Sequence, residues 1–201
     1  YQMEYLTFTE DPTGWTLGRG AGKLRPERLN GVLQWQGQQA AGSPPRIDFN
    51  TTGKGEDFVR LEADLYIKPD TPTIMGLRVG SVSGNISFYF EFGKNESGRL
   101  AYRLQDFNGL RDWTPIEPVM EWPKSGKVRL GLESPDLASG QIHLYVNGEK
   151  KMSGKLQLQR PGRIAVGVFL QPVANSAVDA YADNIDRKST RLNSSHVQPS
   201  R

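Results

Sequence analysis

The sequence predicts an all-β chain, a sandwich of two antiparallel sheets. Three observations carry this. Apolar residues recur with a period of two over most of the chain, the period of a strand with one buried face. Turn chemistry separates the alternating runs at the short spacing of sandwiches and barrels. With 22 Gly and 13 Pro in 201 residues, and no stretch with a 3.6-residue period, long helices have little room.

The alternating runs number about twelve. In "FVRLEADLYIK", Leu61, Ala63, Leu65 and Ile67 alternate with Glu62, Asp64, Tyr66 and Lys68. In "NISFYFEFG", Ile86, Phe88, Phe90 and Phe92 form the apolar phase, and Ser87, Tyr89 and Glu91 the solvent-leaning one. Leu100, Tyr102 and Leu104 continue the pattern, followed by Val128, Leu130 and Leu132, then Ile142, Leu144 and Val146. The last clear run is "RIAVGVFLQ", with Ile164, Val166, Val168 and Leu170 in phase. Asn30-Gly31 and Asn147-Gly148 are pairs suited to two-residue hairpin turns, where both positions need positive φ. "GKNESG", residues 93–98, reads as a longer hairpin loop, and "GRGAG", residues 18–22, as a loop that leads to no helix.

Charge and composition narrow the function classes. The formal net charge is +3. Arg187, Lys188, Arg191 and Arg201 against Asp186 give the last sixteen residues +3 by themselves, so residues 1–185 are neutral. That neutrality, with no basic-aromatic stripe, speaks against nucleic acid as a partner. Cysteine is absent, which removes disulfides, thiolate metal sites and a Cys nucleophile. No apolar run is long enough for membrane insertion as a helix.

Three short motifs carry a resemblance. "GWTLGRGAGKLRPERLNGVLQWQG" (14–37), "HLYVNG" (His143 to Gly148) and the closing Asp183-Asn184-Ile185 resemble concanavalin A-like lectin/glucanase jelly rolls of the laminin G-like kind. The resemblance covers about residues 5–185. It implies one sandwich domain, residues 1–185, and an extracytoplasmic setting in a larger bacterial protein. It also implies carbohydrate, or a neighbouring domain of the same polypeptide, as partner. A separate resemblance concerns the end of the chain. "DRKSTRLNSSH", residues 186–196, resembles a translated sequencing adapter. The expectation is that residues 186–201 are a non-native, disordered tail that packs against nothing. The chain opens on Tyr1 and reads as a piece of a longer protein.

Candidate site residues follow. Glycosidases of this fold place carboxylates on one strand as Glu-x-Asp-x-x-Glu, where alternation puts acid and nucleophile on one face. Glu62 and Asp64 match the first two positions, but Ile67 stands at the third. The missing motif favours a non-catalytic carbohydrate-binding or accessory module. A glycoside hydrolase with other carboxylates and a structural domain packing on a missing catalytic one remain as alternatives. Binding candidates are side chains that alternate away from the core set, Tyr89, Glu91, Arg103, His143 and Tyr145, and Trp113 in the polar segment "FNGLRDWTPIE". Aromatic rings with a few placed polar groups suit sugars. The resemblance admits one structural Ca²⁺, for which Asp183 and Asn184 are the candidate ligands. No other cofactor is expected.

Overall fold

The computed structural model describes residues 2–9, 14–17, 27–29, 31–40, 46–68, 70–82, 87–117, 127–136, 139–156 and 162–189. Sixteen strands are found among them. They are β1 (Gln2–Leu6), β2 (Trp15–Leu17), β3 (Glu27–Leu29), β4 (Val32–Gln38), β5 (Ile47–Lys54), β6 (Phe58–Ile67), β7 (Ile74–Ser81) and β8 (Ser87–Lys94). Then come β9 (Leu100–Asp106), β10 (Gly109–Leu110), β11 (Thr114–Pro115), β12 (Val128–Asp136), β13 (Gln141–Val146), β14 (Glu149–Lys155), β15 (Arg163–Gln171) and β16 (Ala177–Ser189).

Two eight-stranded antiparallel sheets form. The back sheet runs β14-β13-β12-β6-β16-β4-β3, with β1 also on β16. The front sheet runs β10-β9-β8-β7-β15-β5-β2, with β11 also on β9. The apolar phases meet between them. Leu61, Ala63 and Leu65 of β6 and Val128, Leu130 and Leu132 of β12 face Phe88, Phe90 and Phe92 of β8 and Val168 and Leu170 of β15, all fully buried. Each large apolar side chain removed from water contributes about 2 kcal/mol, so this double layer dominates the stability of the fold.

The turns follow their chemistry. Val146 pairs with Glu149 across Asn147 (φ 51°) and Gly148 (φ 85°), the left-handed pair that a two-residue hairpin needs. Leu29 pairs with Val32 across the 30–31 connection, where Gly31 has φ 77°. In the 95–99 loop, Asn95 Oδ1 accepts hydrogen bonds from the Ser97 and Arg99 backbone N–H groups. Residues 18–22, 30, 86 and 190–201 lie outside the described residues.

Two expectations need correction. The strand that contains Ile185 does not stop there. Asp186 to Ser189 continue β16, paired on one side with Phe58 to Glu62 of β6 and on the other with β1, from Gln2↔Ser189 to Tyr5↔Asp186. Arg187 forms a 3.2 Å ion pair with Glu4, whose other oxygen accepts a hydrogen bond from Trp15 Nε1. Residues 186–189 therefore belong to the sheet. Two flanking strands present backbone N–H and C=O groups that must be paired, and that demand is met by backbone, whatever the side chains.

The second correction concerns alternation. On β7, β8 and β15 the outward phase is not a solvent face: Tyr89 is 9 % exposed, Glu91 1 %, Arg78 6 % and Phe169 0 %. Period two gives the side on which a residue lies, but not what covers that side.

Candidate functional site

The outer face of the front sheet is a grid fixed by strand register. One row runs Arg103–Glu91–Gly76–Phe169–Asp48 across β9, β8, β7, β15 and β5. The next runs Gln105–Tyr89–Arg78–Gly167–Asn50. Each row has one glycine among longer side chains, Gly76 in the first and Gly167 in the second. The absence of a side chain at Gly76 and Gly167 is required: a β-carbon there would lie 1.8 Å from the Phe90 carbonyl oxygen and 2.0 Å from that of Phe49. The space above these glycines is taken by Phe169 and Asn50.

At one end of this face, Arg103 Nε donates a 2.8 Å hydrogen bond to Glu91 Oε1. Glu91 is buried, so the pair is a charge-assisted contact largely out of water. The Arg103 guanidinium also lies 4.1 Å from the Trp113 ring centroid, a cation–π stack. One edge of the indole, Cη2 and Cζ2, packs against bare backbone, because a β-carbon on Gly93 would sit 3.2 Å from Trp113 Cη2. Trp113 is half-buried. Together with Asp70, Thr73, Ile74 and Lys94 it lines an open groove of about 470 Å³, a volume in the range of small-ligand sites. Thr73 Oγ1 is buried there and has no hydrogen-bond partner among the described residues.

Further across the face, Arg46 acts as a strap. It donates from Nε to Gln171 Oε1 (3.1 Å) and from Nη2 to Gln105 Oε1 (3.0 Å), and its guanidinium lies 3.9 Å from the Tyr89 centroid. Arg46 immediately precedes β5, whereas Gln105 is on β9, four positions away in the sheet. On a flat sheet that is about 19 Å, more than an extended Arg and Gln side chain span together. The sheet therefore curves toward this face and makes it concave.

Near the strap, Arg78 Nε lies 3.7 Å from Asp48 Oδ2, while Asp48 Oδ1, Asn50 Oδ1 and Arg78 Nε have no hydrogen-bond partner among the described residues. Burial pushes the Asp48 carboxyl above its usual range, and the charges of Arg78 and Arg46 offset only part of that.

The six sequence candidates thus fall into two groups. Trp113, Tyr89, Glu91 and Arg103 share the concave face. His143 and Tyr145 lie on the outer face of the back sheet, on the far side of the core. Tyr145 donates a 3.1 Å hydrogen bond to Glu133, which is also 4.0 Å from His143 Nδ1. Glu62 and Asp64 share that far face, and both are held by Arg129, at 3.2 and 3.1 Å. Burial works against the Arg129 charge, but its bonds to Asp64 and Glu62 outweigh burial and raise its pKa.

Asp183 and Asn184 form a bulge in β16, with Asn184 at φ 48°. Asn184 does not fit a Ca²⁺ ligand. Its Oδ1 accepts from Tyr5, its Nδ2 donates to Asp64, and its carbonyl accepts from Arg129. A guanidinium and two other hydrogen-bonding groups surround the oxygens a hard cation would need.

Arg46, Asp48, Asn50, Arg78, Gln105 and Gln171 were missed by the sequence reading. The available signal was the run of small residues in the outward phase, Gly76, Gly80, Ala165 and Gly167, which leaves room for long neighbours.

No protein-family model and no curated protein matches the chain by sequence. Solved structures do match in fold. The carbohydrate recognition domain of Emp47p superposes with TM-score 0.64 at 13 % identity, covering 94 % of this chain and 95 % of that one. Laminarinase from Flavobacterium sp. UMI-01 gives 0.62 at 12 %, covering 94 % and 99 %. The Bacillus licheniformis β-glucanase gives 0.61 at 12 %, covering 94 % and 98 %. The chain has the concanavalin A-like jelly-roll fold that lectin domains and glucanases share, and at these identities the likeness is one of fold.

Proposed function

We propose that the chain is a non-catalytic carbohydrate-binding module that takes its ligand in the Trp113–Arg103 groove, within a larger bacterial extracytoplasmic protein. The observation that carries this is the Glu91–Arg103–Trp113 stack. A buried carboxylate fixes the guanidinium, the guanidinium fixes the indole, and both line the groove. An aromatic surface for the C–H face of a sugar and pre-oriented donors for its hydroxyls stand side by side. Two more observations support the reading: the groove volume and the fold shared with the Emp47p carbohydrate recognition domain. The bacterial setting draws on the fold's occurrence in the Flavobacterium and Bacillus proteins.

A hydrolase reading draws on one observation, the Asp48 carboxyl pushed up by burial, as a general acid needs. It lacks a partner. The other carboxylate of the same row, Glu91, is bound to Arg103 and lies three strands away, with Gly76 and Phe169 between it and Asp48. Glu62 and Asp64 are tied up by Arg129 on the opposite face.

The test is glycan-array binding of the whole chain beside Trp113→Ala. Selective binding, weakened at least about tenfold by the substitution, is expected. Binding to no glycan, or binding that Trp113→Ala leaves unchanged, overturns the proposal.

A further inference from the structure

We infer that the groove takes the end of a saccharide chain rather than an internal segment, and that Arg46 is the residue that sets this specificity. The inference rests on the carbohydrate-binding reading above.

A polysaccharide bound through its middle needs two exits from its site. From the Trp113 groove, two routes lead over the middle of the concave face. One passes from Ile74 of β7 toward β15, where the register neighbour is Gln171. The other passes along β9 from Arg103 to Gln105, the next residue on the same face. Arg46 closes both. It is hydrogen-bonded to Gln171 and to Gln105 and lies on the ring of Tyr89. Behind it the described residues leave no trough for a further sugar: Phe169 is 0 % and Arg78 6 % exposed. The groove is thus walled toward the sheet's centre. A terminal sugar fits such a site, with its C–H face on Trp113 and Ile74 and its hydroxyls toward Arg103 and Lys94. Arg46 is anchored by two neutral carboxamides and a ring, contacts that one substitution removes.

The experiment is an array that displays each saccharide sequence twice, once as a chain terminus and once flanked by further sugars on both sides. The wild-type chain is expected to bind terminal forms at least about tenfold more tightly than the flanked ones. Arg46→Ala is expected to bring the two within about twofold, with the unfolding midpoint near that of wild type. Should Arg46→Ala fail to fold, Gln105→Ala and Gln171→Ala each release one anchor and are expected to narrow the same gap. Equal binding of terminal and flanked forms by the wild type overturns the inference and leaves the binding reading standing. A gap that none of the folded variants changes overturns the role of Arg46. Absence of binding to every form overturns the carbohydrate reading, and this inference with it.

Discussion

The two outer faces of the sandwich carry similar residue types and use them differently. On the back sheet, Arg129 bridges Glu62 and Asp64 with all three side chains 19–31 % exposed. On the front sheet, Arg103 holds Glu91 with exposures of 18 % and 1 %. Water screens the first network, which leaves its net contribution small. The second lies where a broken pair leaves a charge without solvent. The lesson is that charge on a strand's polar phase says little by itself, and curvature decides how much it matters. The concave face folds its charges inward, where they hold an aromatic ring at a groove.

Removing one partner from each face is the sharpest way to break this comparison. Glu91→Ala is expected to cost about 3 kcal/mol, because Arg103 loses its ion pair with Glu91 in a mostly buried position. Arg129→Ala is expected to cost about 1 kcal/mol or less. Urea unfolding of the two variants checks both, and equal costs would erase the distinction between the faces.

Glycines sharpen it next. A β-carbon at Gly76 meets backbone at 1.8 Å, whereas at Gly131 it meets the flexible Glu62 side chain at 3.1 Å. Gly76→Ala is expected to destabilise by about 3 kcal/mol, and Gly131→Ala by less than about 1 kcal/mol. Thermal unfolding of both distinguishes them.

The smallest effect concerns pH. Burial raises the folded-state pKa of Asp48 above its unfolded value near 3.8. Above that raised value, both states carry the carboxylate and the folded state bears its desolvation. As pH falls through it, the folded state binds the proton first and gains stability, until the unfolded state is protonated too. Asp48→Asn is therefore expected to be more stable than wild type at neutral pH, with the advantage shrinking as pH falls toward the unfolded value. Denaturation across that window reads the difference directly. An advantage that does not vary with pH would show that Asp48 is not desolvated.

Much of this was legible in the residues. The phases through Leu61 to Ile67, Phe88 to Phe92 and Val128 to Leu132 point into the core as alternation requires. Asn147-Gly148 makes its predicted turn. Tyr89, Glu91 and Arg103, chosen for leaning away from the core, share one face with Trp113, chosen for its polar segment. That His143 and Tyr145 lie on the other face was not legible, because alternation does not assign strands to sheets. Nor was the strap. Arg46 and Gln105 are 59 residues apart, and no local pattern links them. The end of the sheet was also misread. Asp186 to Ser189 belong to the stretch that resembles a translated sequencing adapter, yet they pair through their backbone with a strand on either side.

By itself, the sequence determined the fold class, the core and the turns. These depend on local periodicity and on backbone preferences carried by single residues. The tertiary structure decided which face is concave, which charges leave water and where a ligand has room. Each of those depends on sheet curvature and on contacts between strands distant in the chain, neither of which has a local signature in the sequence.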